Sequence, residues 1–206
     1  MTDHYFSSRP TALSRPREVH ARLRGRQWTF RTDRGVFAAG AVDAGTKLLI
    51  ETMVIHPSDE VLDLGCGYGP VGMVAASLAP QGRVILADIN ERAVELARAN
   101  VQYADLANAS VVLGDGCAPV RGQQFDVIVT NPPIRAGRAT VRRLLREAKA
   151  HLRNGGRFYF VARTAQGAKT LAREVASVFG MVTELARGGG YRVYSTIKEE
   201  TDRQRT

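Results

Sequence analysis

The sequence of 206 residues predicts an α/β fold with a seven-stranded, mostly parallel sheet. From Glu60 onward, short and continuously apolar segments alternate with helical ones, as strands buried on both faces alternate with covering helices. The last two apolar segments, 182–186 and 192–197, have no helix between them, so we expect a hairpin that adds one antiparallel strand. A glycine-rich turn follows the first apolar strand after Glu60, at the edge of the sheet where open α/β sheets bind ligands.

The chain divides into an arm and one domain. Residues 1–18 are polar and show neither a helical nor a strand period, so we expect an extended basic arm. Residues 19–206 are expected to form a single domain, because a chain of this length can bury a full core without disulfides or metals. Within it, an N-terminal hairpin and helix occupy residues 19–58, and the α/β core occupies residues 59–206.

Each element follows from its own pattern. Gly25 and Arg26 separate two alternating segments as a hairpin turn does, and Asp43 is placed to cap the next helix. Gly155 and Gly156 are expected to end the fourth helix of the chain. The predicted strands are 19–24, 27–32, 61–64, 84–87, 110–113, 125–130, 157–162, 182–186 and 192–197, and the predicted helices are 43–54, 71–78, 93–103, 139–152 and 168–179.

The charge is strongly basic and unevenly placed. The chain has 29 Lys and Arg residues against 20 Asp and Glu residues, a net charge of +9, and residues 1–34 alone hold eight arginines. We therefore expect a polyanionic partner at two clusters, although arginine usage set by genome composition and a solvated helix face remain alternatives. The second cluster consists of Arg135, Arg138, Arg142, Arg143 and Arg146.

Several classes of protein are excluded. Cys66 and Cys117 are the only cysteines and have no C-x-x-C spacing, so we expect neither a disulfide scaffold nor a metal site. The first 17 residues have no apolar signal region, and no apolar run approaches the length that crosses a bilayer. We expect a cytoplasmic protein without a membrane partner.

Two acidic residues suggest what the glycine-rich loop, Asp63 to Gly69, binds. Glycine is needed there because a Cβ would keep a ligand from the backbone, but dinucleotide enzymes have a similar turn. Asp88 ends the second core strand, where a carboxylate can accept both hydroxyls of a ribose. Asp115 follows the third core strand and is placed to accept from an adenine amino group. Taken alone, Asp88 is more typical of a helix cap and Asp115 of a turn residue, but together, at successive strand ends, they favour a nucleoside ligand.

The loop after the fourth core strand, Asn131-Pro132-Pro133-Ile134, carries the most specific signal. The two prolines donate no backbone hydrogen bond and restrict the residue before them, so the loop is rigid and presents acceptors. The carboxamide oxygen of Asn131 and the carbonyl of Pro132 can each accept one hydrogen of an –NH2 group, which leaves the nitrogen lone pair directed at a methyl donor. An ordinary Asn-Pro turn is the alternative.

Together these motifs resemble the class I S-adenosylmethionine-dependent methyltransferases that modify exocyclic or amide nitrogens, and they imply a Rossmann-like core. More narrowly, the chain resembles the small-subunit ribosomal RNA guanine-N2 methyltransferase family in its short, single-domain form. That likeness covers nearly the whole chain and depends on Gly35-Val36-Phe37, residues 43–49 (DAGTKLL) and residues 131–137 (NPPIRAG). One departure is Ile134, since most base-methylating members have a stacking aromatic residue there.

The resemblance implies a cofactor, a partner and a set of site residues. S-adenosylmethionine is the implied cofactor, RNA of the small ribosomal subunit the implied partner, and guanine N2 of 16S ribosomal RNA the implied target. The implied reaction is a direct displacement without a metal, and the hairpin is implied to fold over the cofactor. The implied catalytic residues are Asn131, Pro132, Pro133 and Ile134; the cofactor-binding residues are Asp63, Gly65, Cys66, Gly67, Asp88, Ile89, Asp115, Gly116 and Asn131; and the substrate-binding residues are Phe37, Arg135 and Arg138.

Three other functions fit part of the pattern. A protein-glutamine methyltransferase uses the same Asn-Pro-Pro loop on an amide nitrogen, but the basic arm and the arginines after Ile134 argue against it. A catalytically silent RNA-binding protein would not need both loops intact. The two prolines and the Gly-x-Gly-x-Gly spacing disfavour a nicotinamide-dependent oxidoreductase. Monomer and dimer both remain open.

Overall fold

The computed structural model describes residues 12–199, so most of the predicted arm, residues 1–11, lies outside the described residues. The described part contains a two-stranded hairpin, a seven-stranded sheet and five α-helices. The strands are β1 (Arg17–Leu23), β2 (Arg26–Thr32), β3 (Val61–Leu64), β4 (Val84–Asp88), β5 (Ala109–Leu113), β6 (Phe125–Thr130), β7 (Leu152–Arg163), β8 (Thr183–Gly188) and β9 (Tyr191–Ile197). The helices are α1 (Ala44–Thr52), α2 (Pro70–Leu78), α3 (Glu91–Tyr103), α4 (Arg138–His151) and α5 (Ala168–Phe179).

The seven-stranded sheet has the order β5-β4-β3-β6-β7-β9-β8. Strands β3 to β7 pair in parallel, and β9 pairs antiparallel with both β7 and β8. The predicted fold class, with its one antiparallel strand, is confirmed. The chain runs outward from β3 to β5 and then returns to place β6 beside β3, so the sheet has a switch point between β3 and β6. Open α/β sheets bind ligands at such a point.

Two apolar cores cover the two faces of the sheet. On one face the hairpin, α1, α2 and α3 pack together, and Phe30 stacks on Trp28 and meets the ring of Tyr68 edge to face. On the other face α4 and α5 cover the sheet, and Phe158 stacks on Phe179 with ring centroids 4.9 Å apart. Because both faces are covered, the central strands can be apolar at every position.

The connection between α4 and β7 differs from the prediction. Helix α4 ends at His151, and Leu152 already pairs with Phe125 of β6. Gly155 and Gly156 therefore lie within β7 and do not end the helix. Gly155 has φ 74 and turns the strand, and both glycines pair with the backbone of Lys198 just beyond β9. A glycine pair after a helical segment looks like a cap in sequence because both uses need a left-handed backbone.

The end of the predicted arm is anchored to the rest of the protein. Strand β1 begins at Arg17, inside the predicted arm. Just before it, the Ser14 hydroxyl donates to the carboxylate of Asp33 at 2.6 Å, and the backbone N–H of Arg15 donates to the same carboxylate. Burial alone would raise the pKa of Asp33, but these hydrogen bonds, that of Arg34 and the charge of Arg92 lower it below the ordinary value.

Candidate active site

A cavity of about 390 Å³ opens at the carboxyl ends of β3, β4, β5 and β6, at the switch point of the sheet. Its size lies in the range of small-molecule sites, about 300–1,000 Å³. Four predicted site residues do not line it: Pro132, Ile134, Arg135 and Arg138. The predicted residues that do line it are Phe37, Asp63, Gly65, Cys66, Gly67, Asp88, Ile89, Asp115, Gly116, Asn131 and Pro133.

The glycine-rich loop forms the floor of the cavity. The backbone N–H groups of Gly65 and Cys66 donate to the carbonyl of Ala87 at 2.8 and 3.1 Å, which fixes the loop to the end of β4. Gly65 and Gly67 have φ of 78° and 57°, and a Cβ built on either meets no atom within 4 Å. A side chain there would occupy the free space of the cavity, so the loop leaves room for the adenosyl cofactor that the resemblance implies.

Asp88 ties the loop to the next helix. Its Oδ2 accepts from the N–H of Gly67 and its Oδ1 from the N–H of Asn90, each at 2.8 Å. Burial raises the pKa of Asp88 despite these backbone hydrogen bonds and one from Ile89. The cap of α3 is Asn90, whose side chain accepts two N–H groups of the first turn. Asp88 is therefore not the helix cap and presents its carboxylate to the cavity.

A second carboxylate, Asp63, lies beneath the loop. Its Oδ2 accepts from the N–H of Gly72 at 2.8 Å, and only 2% of the residue is exposed. Burial and, to a smaller extent, the charge of Asp88 raise the pKa of Asp63 to about 7, although the hydrogen bond from Gly72 lowers it. Burial also raises the pKa of the Cys66 thiol, which stays protonated at neutral pH. A cationic group in the cavity would favour the charged form of Asp63.

Helix α4 holds the loop that carries Asp115. The guanidinium of Arg143 donates to Asp115 Oδ1 and to Glu147 Oε1, each at 2.7 Å. The other oxygen of Glu147 accepts from the N–H of Cys117 at 3.0 Å and would lie 2.1 Å from a Cβ on Gly116. Gly116 has φ 57°, a left-handed backbone that favours glycine, and a Cβ there would also displace the end of the Glu147 side chain. The sequence placed Arg143 among residues for a polyanion, whereas the structure pairs it with Asp115 and Glu147.

The Asn-Pro-Pro loop follows β6 directly. The Asn131 amide nitrogen donates to the hydroxyl of Thr46 at 3.3 Å, so the carboxamide oxygen is left for another donor. Pro133 has φ −77° and ψ 77°, and the carbonyl of Pro132 accepts from the N–H of Ile134 at 2.9 Å. This is an inverse γ-turn. It uses one lone pair of the Pro132 carbonyl and leaves the second.

Ile134 and the three residues implied to bind substrate lie in different surroundings. Ile134 packs against the core under α4 and α5, whereas Phe37 lines the cavity. Arg138 donates to the buried carboxylate of Glu174 at 2.8 Å, so α5 holds it. Arg135 is exposed, and among residues 12–199 no carboxylate lies within ion-pair distance of it.

The hairpin does not fold over the cavity as the resemblance implied. It packs on α3, where the side chain of Asn100 pairs with the backbone of Arg31 at 2.7 and 2.8 Å. No residue of β1 or β2 lines the cavity, and the following residues Phe37 and Ala38 do. The segment after the hairpin is therefore the part that reaches the site.

Sequence reasoning missed Thr46 and Tyr68. Tyr68 is 1% exposed and lines the cavity, and its hydroxyl finds no hydrogen-bond partner among the described residues. Burial raises the pKa of Tyr68 well above the ordinary value, and the charge of Asp43 raises it further. A buried hydroxyl without a partner in the cavity wall is a donor that fits a polar ligand. Its position inside the glycine-rich loop was a signal that could have found it.

Within residues 12–199, His, Cys, Asp and Glu side chains form no group that could hold a metal ion. None of the helices in that part of the chain has the length and apolar character needed to span a bilayer.

Comparisons with known proteins lead to one family. The methyltransferase small domain family matches residues 27–195. The protein YbxB of Bacillus subtilis is 35% identical over 201 residues, which is 96% of this chain and 100% of that protein. Ribosomal RNA small subunit methyltransferase C of an Enterobacter species is 35% identical over 173 residues, 82% of this chain and 49% of the relative.

A solved structure adds a ligand to the comparison. The 16S rRNA N2 methyltransferase of Thermus thermophilus, in complex with AdoMet and guanosine, matches with a TM-score of 0.78 and 28% identity. The match covers 92% of this chain and 52% of that one. The chain therefore spans about half the length of these ribosomal RNA methyltransferases.

Proposed function

The chain belongs to the methyltransferase small domain family and is an S-adenosylmethionine-dependent methyltransferase, and we propose that it methylates the exocyclic N2 of a guanine in small-subunit ribosomal RNA. One observation carries the proposal: Asn131 lies in the cavity wall with its amide nitrogen bonded to Thr46, so that its oxygen can accept from an amine. The Thermus thermophilus structure supports the target, since it contains guanosine beside AdoMet.

The cavity residues can hold the cofactor by its polar groups. The carboxylate of Asp88 accepts from the N–H groups of Gly67, Asn90 and Ile89, and its remaining acceptor capacity in the cavity wall can bind ribose hydroxyls. Asp115 Oδ2 is left for the adenine amino group, because Arg143 contacts Oδ1. The cofactor supplies an electrophilic methyl group on a sulfonium. Cys66, Ile89 and Gly116 complete the wall.

The Asn-Pro-Pro loop prepares the amine for attack. The amine of guanine is a poor nucleophile because its lone pair is delocalised into the ring. Asn131 Oδ1 accepts one of its hydrogens, holds the nitrogen close and stabilises the positive charge that develops on it. The Pro132 carbonyl, the second acceptor that the sequence predicted, keeps one lone pair but does not line the cavity. Phe37 lines the cavity and covers a face of the base. Ile134 does not take this role, because its side chain packs against the core under α4 and α5.

Removal of the Asn131 carboxamide tests this role. We expect Asn131→Ala to reduce turnover about 100-fold or more, as loss of a transition-state hydrogen bond does in other enzymes. The dissociation constant of S-adenosylmethionine, measured by calorimetry, should stay within about twofold, because Asp88 and the glycine-rich loop are unchanged. Asn154→Ala is the control, since Asn154 is exposed at the opposite edge of the sheet. Wild-type turnover of Asn131→Ala under saturating substrate would refute the role of the loop.

The position of the transferred methyl group identifies the substrate. Purified small ribosomal subunits are incubated with labelled S-adenosylmethionine, and the RNA and protein fractions are digested separately. Label in N2-methylguanosine supports the proposal. Label on a glutamine of the protein fraction would instead support the protein-glutamine methyltransferase, and normal cofactor binding without any transfer would support a silent RNA-binding protein.

A further inference from the structure

Thr46 lies in the first turn of α1 and contacts the catalytic loop across the fold. It is 6% exposed and lines the cavity. Its hydroxyl accepts a hydrogen bond from the amide nitrogen of Asn131 at 3.3 Å, although the two residues lie 85 positions apart in the sequence. We propose that Thr46 is a positioning residue for methyl transfer, whose hydroxyl holds the Asn131 carboxamide with its oxygen toward the amine. This inference rests on the role proposed for Asn131.

Thr46 is itself held by two further side chains. Its N–H donates to Asp43 Oδ2 at 3.1 Å, and the Tyr191 hydroxyl donates to Asp43 Oδ1 at 2.8 Å. A Cβ on Gly45 would lie 2.5 Å from the Tyr191 ring, so glycine is what lets that ring approach. Hydrogen bonds therefore link β9 to the loop after β6. They run from Tyr191 to Asp43, from Asp43 to the backbone N–H of Thr46, and from the Thr46 hydroxyl to Asn131.

These hydrogen bonds bear on how Asn131 is oriented, because the two ends of a carboxamide are nearly equal in size. One end accepts hydrogen bonds and the other donates them. If the amide of Asn131 turned over, its –NH2 group would face the amine of the substrate, and two donors would oppose each other. A threonine hydroxyl can donate or accept, and in this structure it accepts from the amide nitrogen, which leaves the Asn131 oxygen for the amine.

The hydroxyl of Thr46 can be removed with little change in shape. We expect Thr46→Val to lower kcat about tenfold, the factor equivalent to one hydrogen bond, and to leave the dissociation constant of S-adenosylmethionine within about twofold. Thr46→Ser keeps the hydroxyl and should restore most of kcat. Thr52→Val is the matched control, because Thr52 lies on the same helix and its hydroxyl, among the residues that the structure describes, bonds only the carbonyl of Leu48. An equal loss of kcat and of cofactor affinity would overturn the proposal.

A double-mutant cycle separates this inference from the proposed function. In the Asn131→Ala background, Thr46→Val should cause no further loss of kcat, because the carboxamide that Thr46 holds is gone. A further tenfold loss would show that Thr46 acts independently of Asn131 and would overturn the inference. If Asn131→Ala is nearly inactive but Thr46→Val has wild-type kcat, only the inference fails. If Asn131→Ala itself keeps wild-type kcat, the proposed function of the loop fails.

Discussion

Asp63 is a buried acid, and no Lys or Arg among residues 12–199 lies within ion-pair distance of it. Burial, together with the charge of Asp88, raises its pKa to about 7. In the unfolded chain the group titrates near 3.8. Between these pH values the folded state keeps a proton that the unfolded state loses, so a rise in pH favours unfolding. Below about pH 4 and above about pH 7 the contribution no longer changes with pH.

Replacement of Asp63 by asparagine should therefore reduce the pH dependence of stability. Asparagine keeps an oxygen for the N–H of Gly72 but cannot ionise. We expect the free energy of unfolding of Asp63→Asn, relative to wild type, to rise between pH 4 and pH 7 by at most about 1.4 kcal/mol per pH unit. Urea denaturation of the cofactor-free protein across this range measures it. Glu95→Gln, at an exposed position of α3, is the control, and a constant difference from wild type would contradict the assignment.

Single residues differ in how far the sequence predicts them. Asp88, Asp115 and Asn131 were predictable, because each follows a strand and the carboxyl ends of parallel strands meet at one edge of the sheet. Thr46 was not predictable as a partner of Asn131, since a contact across 85 residues leaves no local pattern. The same holds for Ile134, whose side chain is directed by the core under α4 and not by its neighbours in sequence.

The N-terminal segment depends on one acid at the end of the hairpin. Asp33 is 5% exposed and accepts from Ser14, Arg15 and Arg34. Because these donors lower the pKa of Asp33, the contribution of the carboxylate to stability is present above about pH 4 and is lost as the pH falls below that value. The end of the predicted arm is thus part of the folded protein.

Asp33→Ala should release this segment. We expect a loss of about 1–3 kcal/mol at pH 7, because the donors near Asp33 are left without their acceptor. Urea denaturation measures the loss, and hydrogen exchange of the Arg15 and Arg34 amides reports whether the segment has detached. The loss should shrink as the pH is lowered toward 3. Glu95→Ala should be nearly neutral, and a loss from Asp33→Ala that is the same at pH 3 and pH 7 would contradict this account.

At the level of elements, sequence periodicity predicts that a helix or strand exists better than it predicts which residues that element contacts. Strand β6 and helix α5 have the bounds that were predicted, since an apolar run or an amphipathic segment is a property of the local sequence. Helix α4 was also predicted, but the partners of its arginines were not. Glu174 of α5 lies 36 residues from Arg138, and only the packing of the two helices brings them together.

At the scale of the whole molecule, the order of the strands creates the cavity. The sequence pattern predicts parallel strands and a loop at each carboxyl end, and the switch point between β3 and β6 follows once β6 returns to the centre of the sheet. The positions of the basic side chains are less predictable. Arg138, Arg142 and Arg143 each contact a carboxylate, so the second cluster offers less free charge than its sequence implied.

Arg135 is the cluster member best placed to bind RNA phosphates. It directly follows the Asn-Pro-Pro loop, is exposed, and among residues 12–199 has no carboxylate at ion-pair distance. Each phosphate neutralised by the protein releases counterions, so the logarithm of affinity falls with the logarithm of salt concentration in proportion to the number of contacts. A side chain that makes one such contact should change both affinity and slope.

Arg135→Ala should weaken RNA binding severalfold at low salt and reduce the magnitude of the salt slope by about one, while cofactor affinity stays unchanged. Arg143→Ala should instead weaken cofactor binding and leave RNA affinity and its salt slope nearly unchanged. Arg143 holds Asp115 in the cavity wall and contributes no free charge. Titrations of small-subunit RNA at several salt concentrations, with calorimetry for the cofactor, separate the two effects. Arg121→Ala is the control, because Arg121 is exposed just before β6, at the edge opposite Asn131. If Arg135→Ala matches wild type in affinity and slope at every salt concentration, the RNA does not pass beside the catalytic loop.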